Sequence, residues 1–124
     1  TVRAALLTAT ALPEWNPAFS RVDGPATAAV DEPYELETIM SLRGSLAYTR
    51  IDASEITMVW RIPMLRESGT WLLTERDATR TLVTHTVERH GPLAAVIAHT
   101  LATLPRLRLD RLQQRVGTTQ PLSG

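Results

Sequence analysis

Apolar residues recur at steps of three and four over the last third of the chain and at steps of two through its middle. In the stretch Gly91 to Val116, Leu93, Val96, Ile97, Leu101 and Leu104 fall on one face at the helical period. Leu109, Leu112 and Val116 continue that stripe. Gly91-Pro92 marks the start, because proline lacks the N–H that a first helical turn leaves unbonded anyway. Gly117 fits the stop, where a left-handed residue ends the helix. Pro105 lies inside the stripe and predicts a kink or a split. Arg106, Arg108, Arg111 and Arg115 crowd the last turns, where positive charge suits the helix dipole, and they read as a solvated face.

From Tyr34 the period is two. Tyr34, Leu36, Thr38 and Met40 alternate with Glu35, Glu37 and Ile39. Leu42, Leu46 and Tyr48 share a face of the next strand, with Gly44 between them as a candidate bulge. Asp52-Ala53-Ser54 is turn chemistry. Ile56, Met58, Trp60 and Ile62 then alternate with Thr57, Val59 and Arg61. Pro63 to Gly69 is expected to turn the chain, Thr70 to Arg76 to form a strand, and Thr79 to His90 to form the last and longest one. Ahead of the strands, Thr1 to Ala11 has helix propensity and an apolar face. The two prolines of Leu12-Pro13-Glu14-Trp15-Asn16-Pro17 restrict that segment to a turn or a small helix. Ala18 to Asp23 reads as a strand, Ala26 to Pro33 as a loop, and Gly117 to Gly124 as a tail. The order is helix, short helix, about six antiparallel strands and a long helix, an α+β arrangement in one domain over residues 1–124.

Composition narrows the partners. At 124 residues, 44% apolar and 21% charged, the chain matches one soluble globular domain. Its formal net charge is zero, so it lacks the basic field of a nucleic-acid binder. With no cysteine, disulfides and thiolate metal sites are excluded. No apolar run reaches the roughly 20 residues of a membrane span, and no secretory signal is visible, so a cytoplasmic location is expected. Every basic residue other than histidine is arginine, which with the many alanines and threonines reads as a coding bias rather than a mechanism. Thr1 is not methionine, as expected of a chain that begins inside a longer one.

Four stretches carry a family resemblance. Val2 to Leu7 followed by Leu12-Pro13-Glu14-Trp15-Asn16-Pro17 resembles a helix pair with a Trp-Asn-Pro corner, and Ser20-Arg21-Val22-Asp23-Gly24 the strand after it. Thr79-Arg80-Thr81-Leu82-Val83-Thr84-His85-Thr86 resembles a later strand, and Gly91-Pro92-Leu93 the start of a terminal helix. Together they resemble the Bet v 1-like, START-related superfamily (SRPBCC), in particular its bacterial polyketide cyclase/dehydrase-type members. The resemblance implies a helix-grip fold: a curved antiparallel sheet wrapped around the C-terminal helix, with a deep apolar cavity between them. Members normally carry a strand before the helix pair, set along the last strand. This sequence starts at the helix, so the edge of Thr79–His90 is expected to be covered by another segment or paired with a second copy in a homodimer.

The chemistry is defined first by what is missing. No Gly-x-Ser-x-Gly elbow, phosphate loop, dinucleotide fingerprint or carboxylate pair is present. His85, His90 and His99 lack metal-ligand spacing, so neither a metal nor a cofactor is expected. What remains faces inward. The resemblance implies a cavity, and Trp15, Asn16, Leu46, Met58, Trp60, Trp71, Leu73, Val83, Ile97 and Leu101 are its expected lining. Met58 and Ile56 read rather as core filling, and the aromatics either line the cavity or fill the core. Glu75 reads as a cavity carboxylate or a solvated strand-end charge. His85 shares the more apolar face of the last strand with Thr81, Val83 and Val87. It is either a general base or acid inside the cavity, with Tyr48 as the second catalytic candidate, or a core histidine bonded to a neighbouring strand or to Tyr48. The expected function is binding of a small, largely apolar molecule in the central cavity, and the resemblance implies a polyketide cyclase or dehydrase acting on a polyketide-like ligand. The alternative is a non-catalytic carrier or sensor of a hydrophobic ligand, and a third class is an interaction protein whose cavity its own side chains fill.

Overall fold

The structure, a computed structural model, describes residues 2–78 and 80–117, with the side chains at 97–101 and 117 outside that description. It is an α+β helix-grip domain. Helix α1 (Val2–Leu7) and a 3₁₀ helix (Ala9–Glu14) lead into β1 (Phe19–Asp23), β2 (Tyr34–Thr38), β3 (Arg43–Ile51), β4 (Glu55–Ile62), β5 (Leu65–Asp77) and β6 (Arg80–His90). Helices α2 (Pro92–Leu101) and α3 (Leu104–Gly117) close the chain. The strands form one antiparallel sheet in sequence order, so each pairs with its chain neighbour.

Period-two alternation produces the core. Tyr34 and Leu36 of β2, Leu46 and Tyr48 of β3, and Ile56, Met58, Trp60 and Ile62 of β4 are all buried on the concave face. Phe19 meets Trp60 edge to face at 5.5 Å and Tyr34 meets Tyr48 at 6.3 Å, within the range such pairs favour. Leu112 of α3 is buried against this layer, with Leu104, Leu109 and Val116 partly buried beside it.

The long terminal stripe is split, as Pro105 predicts. Helix α2 stops at Leu101, Ala102 and Thr103 form a turn, and Pro105 sits in the first turn of α3, where its missing N–H breaks no bond. Gly91 takes φ 112° ahead of α2, and a Cβ there would lie 2.4 Å from the Met64 carbonyl oxygen. That oxygen accepts the Leu93 N–H at 3.0 Å, so α2 starts tied to the β4–β5 turn.

Three expectations need correction. The turn expected over Pro63 to Gly69 is only Pro63-Met64, because β5 already pairs at Ile62↔Leu65. Leu65, Glu67, Gly69 and Trp71 keep the period of two, and β5 is held by a strand on both sides, which offsets the weak strand propensity of Ser68 and Gly69. The bulge lies between Tyr48 and Arg50 rather than at Gly44. Gly44 pairs regularly, and glycine is needed there because a Cβ would fall 1.8 Å from the Arg61 carbonyl oxygen. The first helix ends at Leu7 instead of Ala11: Thr8 returns its hydroxyl to the Ala4 carbonyl at 2.7 Å, and the chain tightens into the 3₁₀ turn that accommodates Pro13.

β6 pairs with β5 alone and forms one border of the sheet. Among the described residues no strand lies along its outer edge.

Candidate functional site

Beneath α3 the concave face becomes polar. Leu104, Arg108, Leu112 and Val116 follow one another at steps of four and so share one stripe of α3. The three apolar members anchor that stripe on the core, which carries Arg108 inward until it is only 2% exposed. The expected solvated face holds for Arg106, Arg111 and Arg115, but Arg108 departs from it. β5 delivers Glu67, 1% exposed, by alternation with Leu65 and Trp71. β6 delivers His85, also buried, and Arg89, partly buried.

These groups bond to one another. Arg108 Nη2 donates to Glu67 Oε2 at 2.8 Å, and Arg89 Nε to Glu67 Oε1 at 3.0 Å. The Trp60 indole N–H also donates to Glu67 Oε2. Arg108 Nε donates to Asn16 Oδ1 at 3.2 Å, and the same oxygen accepts the Ala18 N–H at 3.1 Å. Arg108 Nη1 lies 3.3 Å from His85 Nε2. A guanidinium can only donate, so Nε2 is the acceptor and the imidazole proton sits on Nδ1. Nδ1 then donates to the Thr70 carbonyl at 3.2 Å. His85 stacks on Trp71 with centroids 3.7 Å apart, and Trp15 meets Trp71 edge-on at 5.6 Å. Gly69 leaves room for the ring, since a Cβ there would press on His85 Cε1 at 3.2 Å.

Burial, and after it the Arg108 charge, lower the His85 pKa to about 4, against the opposing pull of Thr70 and Glu67. The imidazole is therefore neutral at pH 7, with both nitrogens engaged. Burial also lowers the Arg108 pKa, with Glu67 opposing the shift. The inward assignment of His85 thus holds, and its neighbouring-strand bond goes to Thr70 rather than to Tyr48.

Tyr48 lies elsewhere. Its hydroxyl donates to the Leu6 carbonyl at 2.5 Å, bracing α1 against β3, and burial raises the phenol's pKa. Of the expected lining, Leu46, Met58, Trp60 and Trp71 are buried in the core, and Leu73 and Val83 are partly buried against it. Asn16 is buried and spent on Arg108 and Ala18. The Ile97 and Leu101 side chains lie outside the described residues. Glu75 is exposed, the solvated alternative. Trp15 lines a pocket of ≈ 270 Å³ formed with Ala4, Ala5, Thr8, Ala11, Arg115 and Val116, between α1, the 3₁₀ helix and α3. Among the described residues its buried indole N–H finds no hydrogen-bond partner. Arg115, at the same pocket, holds Glu14 at 2.5 Å.

Glu67, Arg89 and Arg108 were not among the expected site residues. Their signal is positional: each stands at an inward step of its element's own period. Among the described residues no group of three His, Asp or Glu side chains is placed to hold a metal ion. No described helix is long and apolar enough to cross a membrane.

No protein-family description matches the chain, and no curated protein matches it. Solved structures do. The chain is similar to the hypothetical protein jhp0584 of Helicobacter pylori, with a TM-score of 0.68 and 16% identity over 90% of this chain and 76% of that one. It is also similar to a conserved protein of Geobacillus kaustophilus, with a TM-score of 0.65 and 15% identity over 95% and 87%. A third similar structure is StfQ, the di-domain ARO/CYC of the steffimycin biosynthetic pathway, with a TM-score of 0.64 and 13% identity over 94% of this chain and 47% of StfQ. At these identities the likeness establishes the shared fold.

Proposed function

We propose that the domain binds a small, largely apolar molecule in the pocket between α1, the 3₁₀ helix and α3, and binds it without transforming it. The observation that carries this reading is the closed bonding of the buried polar group. A general base must turn a free lone pair to its substrate. His85 gives Nδ1–H to Thr70 and accepts Arg108 at Nε2, while both Glu67 oxygens are taken by Arg89, Arg108 and Trp60. The pocket supplies what a carrier needs: alanine walls, the indole of Trp15 and a volume near the lower end of the ~300–1,000 Å³ of small-molecule sites.

Tryptophan fluorescence titration with anilinonaphthalene sulfonate and with a neutral aromatic probe tests the reading. Saturable binding is expected in the wild type. Ala5→Leu and Ala11→Leu, which fill the pocket, should abolish it without lowering Tm. Equal binding in the filled variants, or none in the wild type, overturns the proposal.

A cyclase-type reaction on a polyketide-like substrate is the second reading. It is favoured by the fold likeness to StfQ and by the convergence of His85 and Arg108 on one spot. It requires Arg108 to release His85 when substrate enters. Conversion of a poly-β-ketone mimic that disappears in His85→Gln, with ligand affinity retained, would select it over the carrier.

A further inference from the structure

One end of the sheet has an unusual surface. The β2–β3 turn exposes Ile39 (68%), Met40 (74%) and Leu42, and the β4–β5 turn exposes Met64 (63%). The turns are neighbours, because Gly44 at the start of β3 lies against Arg61 and Ile62 at the end of β4. Helix α2 starts beside Met64 and contains no Asp, Glu, Lys or Arg in Pro92–Leu101. It adds Val96 to the exposed set. Met64 and Ser41 hold φ of 68° and 60°, which achiral glycine adopts freely and L-residues rarely do. A methionine kept exposed at a strained turn position points to a use for the exposed side chain.

Behind the apolar tips lies a basic row on the convex face. Arg61 and Arg66 stand directly opposite each other across β4 and β5, and His90 stands opposite Arg66 on β6. Arg43 joins them at the start of β3. Like charges directly opposite repel. Glu37 lies 3.9 Å from Arg43 and Glu88 3.9 Å from His90, while Glu35 faces Ser45 one strand over. Among the described residues no carboxylate pairs with Arg61 or Arg66.

We propose that this end of the domain docks on an anionic lipid surface, with the two turns and the start of α2 entering the acyl boundary and Arg43, Arg61 and Arg66 meeting lipid phosphates. Arg61 and Arg66 form the pair next to Ile62 and Leu65, which close the Pro63-Met64 turn, so they stand two steps, roughly 6–7 Å, behind its tip. Interfacial segments bury their apolar side roughly 5–10 Å deep, so the arginines reach the phosphate layer as the tips reach the acyl chains. A protein interface would favour a flat apolar patch with a charged rim. Apolar tips with cations set back behind them match the layering of a bilayer interface. No membrane span is needed, and the proposal does not rest on the ligand reading above.

Flotation of the full chain with phosphatidylcholine vesicles, and with vesicles in which a third of the lipid is phosphatidylserine, tests it. Binding to the anionic vesicles is expected, weakening with salt. An arginine near such a surface changes partitioning about fivefold, so Arg61→Gln with Arg66→Gln should lower binding roughly 25-fold. Ile39→Ser with Met40→Ser should abolish binding, as should Met64→Gly, which also relaxes the backbone. All these side chains are exposed, so Tm should hold, and should one variant set misfold the other decides. Failure of the wild type to bind anionic vesicles, or binding indifferent to both sets, overturns the proposal. A concentration-dependent dimer that Ile39→Ser with Met40→Ser dissolves, without vesicle binding, would instead assign the surface to a second copy.

Discussion

Replacing Glu67 by glutamine tests whether the buried polar group is as closed as its geometry indicates. The change removes the carboxylate that holds Arg108 at 2.8 Å and Arg89 at 3.0 Å, and leaves a guanidinium that is only 2% exposed without a counter-ion. Removing one partner of a buried ion pair costs about 3–5 kcal/mol, since the remaining charge keeps its desolvation penalty. Arg108→Met should cost less, about 2–3 kcal/mol, because Glu67 keeps Arg89 and Trp60. The double variant restores charge balance, so its loss should fall short of the sum by about 2 kcal/mol or more. Urea unfolding followed by tryptophan fluorescence reads all four states, since Trp60 and Trp71 lie within the group. With m near 2 kcal/mol/M for a small domain, Glu67→Gln should lower the midpoint by roughly 2 M. A loss under about 1 kcal/mol for Glu67→Gln, or additivity within about 0.5 kcal/mol, would refute the reasoning. Arg108 would then be free to turn to solvent.

Three further outcomes are expected. The His85 pKa is depressed to about 4 from 6.5, so the unfolded chain binds a proton that the folded chain refuses between those values. The neutral imidazole's contribution is intact above pH 6.5 and lost as pH falls toward 4, by about 3 kcal/mol. The stability gap between wild type and His85→Gln, measured by urea unfolding at stepped pH, should shrink over that window, and a constant gap would count against a buried neutral ring. Tyr48→Phe should cost about 1 kcal/mol and speed amide exchange in α1, because the hydroxyl is spent on the Leu6 carbonyl. Probe binding should survive the change, and its loss would move Tyr48 into the binding site. The outer edge of β6 is expected to pair with a second copy in solution: sedimentation should detect a dimer that a charge at the edge, Thr84→Lys, dissociates, and a monomer at all concentrations would sink the idea.

The fold was legible because each element carries its own period. Ile56 to Ile62 alternates, Val59 apart, and is a strand, and the terminal stripe breaks near Pro105. The inward turn of His85 was legible from Val83 and Val87 beside it. The centre of the site was not, because a charged residue at an inward position is read as solvated when it is considered alone. Leu65-Glu67-Gly69-Trp71 and Leu104-Arg108-Leu112 hold the period as strictly as any apolar run. Desolvating either charge alone would be prohibitive. What makes both tolerable is a partner 41 residues away in the chain, and no local window contains both. The same blindness shortened β5: Arg66-Glu67-Ser68-Gly69 looks like a turn until β4 and β6 are placed on either side of it.

That pairing also determines how α3 sits. Leu104, Leu112 and Val116 would pack acceptably against a concave apolar face in more than one register, since such contacts have little directionality. Arg108 removes that freedom. Its three nitrogens meet Asn16, His85 and Glu67, from the corner after the 3₁₀ helix, from β6 and from β5. A one-residue slide moves the side chain by about 1.5 Å and 100° around the axis, and would strand those partners in the core. The network is therefore expected to add less to net stability than to the uniqueness of docking, as buried ion groups do in some systems. Glu67→Gln with Arg108→Met separates the two effects. Its unfolding midpoint should fall little or no further than that of Glu67→Gln alone, while amide exchange in α3 accelerates and near-ultraviolet dichroism from Trp71 and Trp15 weakens. Slow exchange in α3 with an unchanged tryptophan signal would mean that the apolar stripe alone fixes the helix.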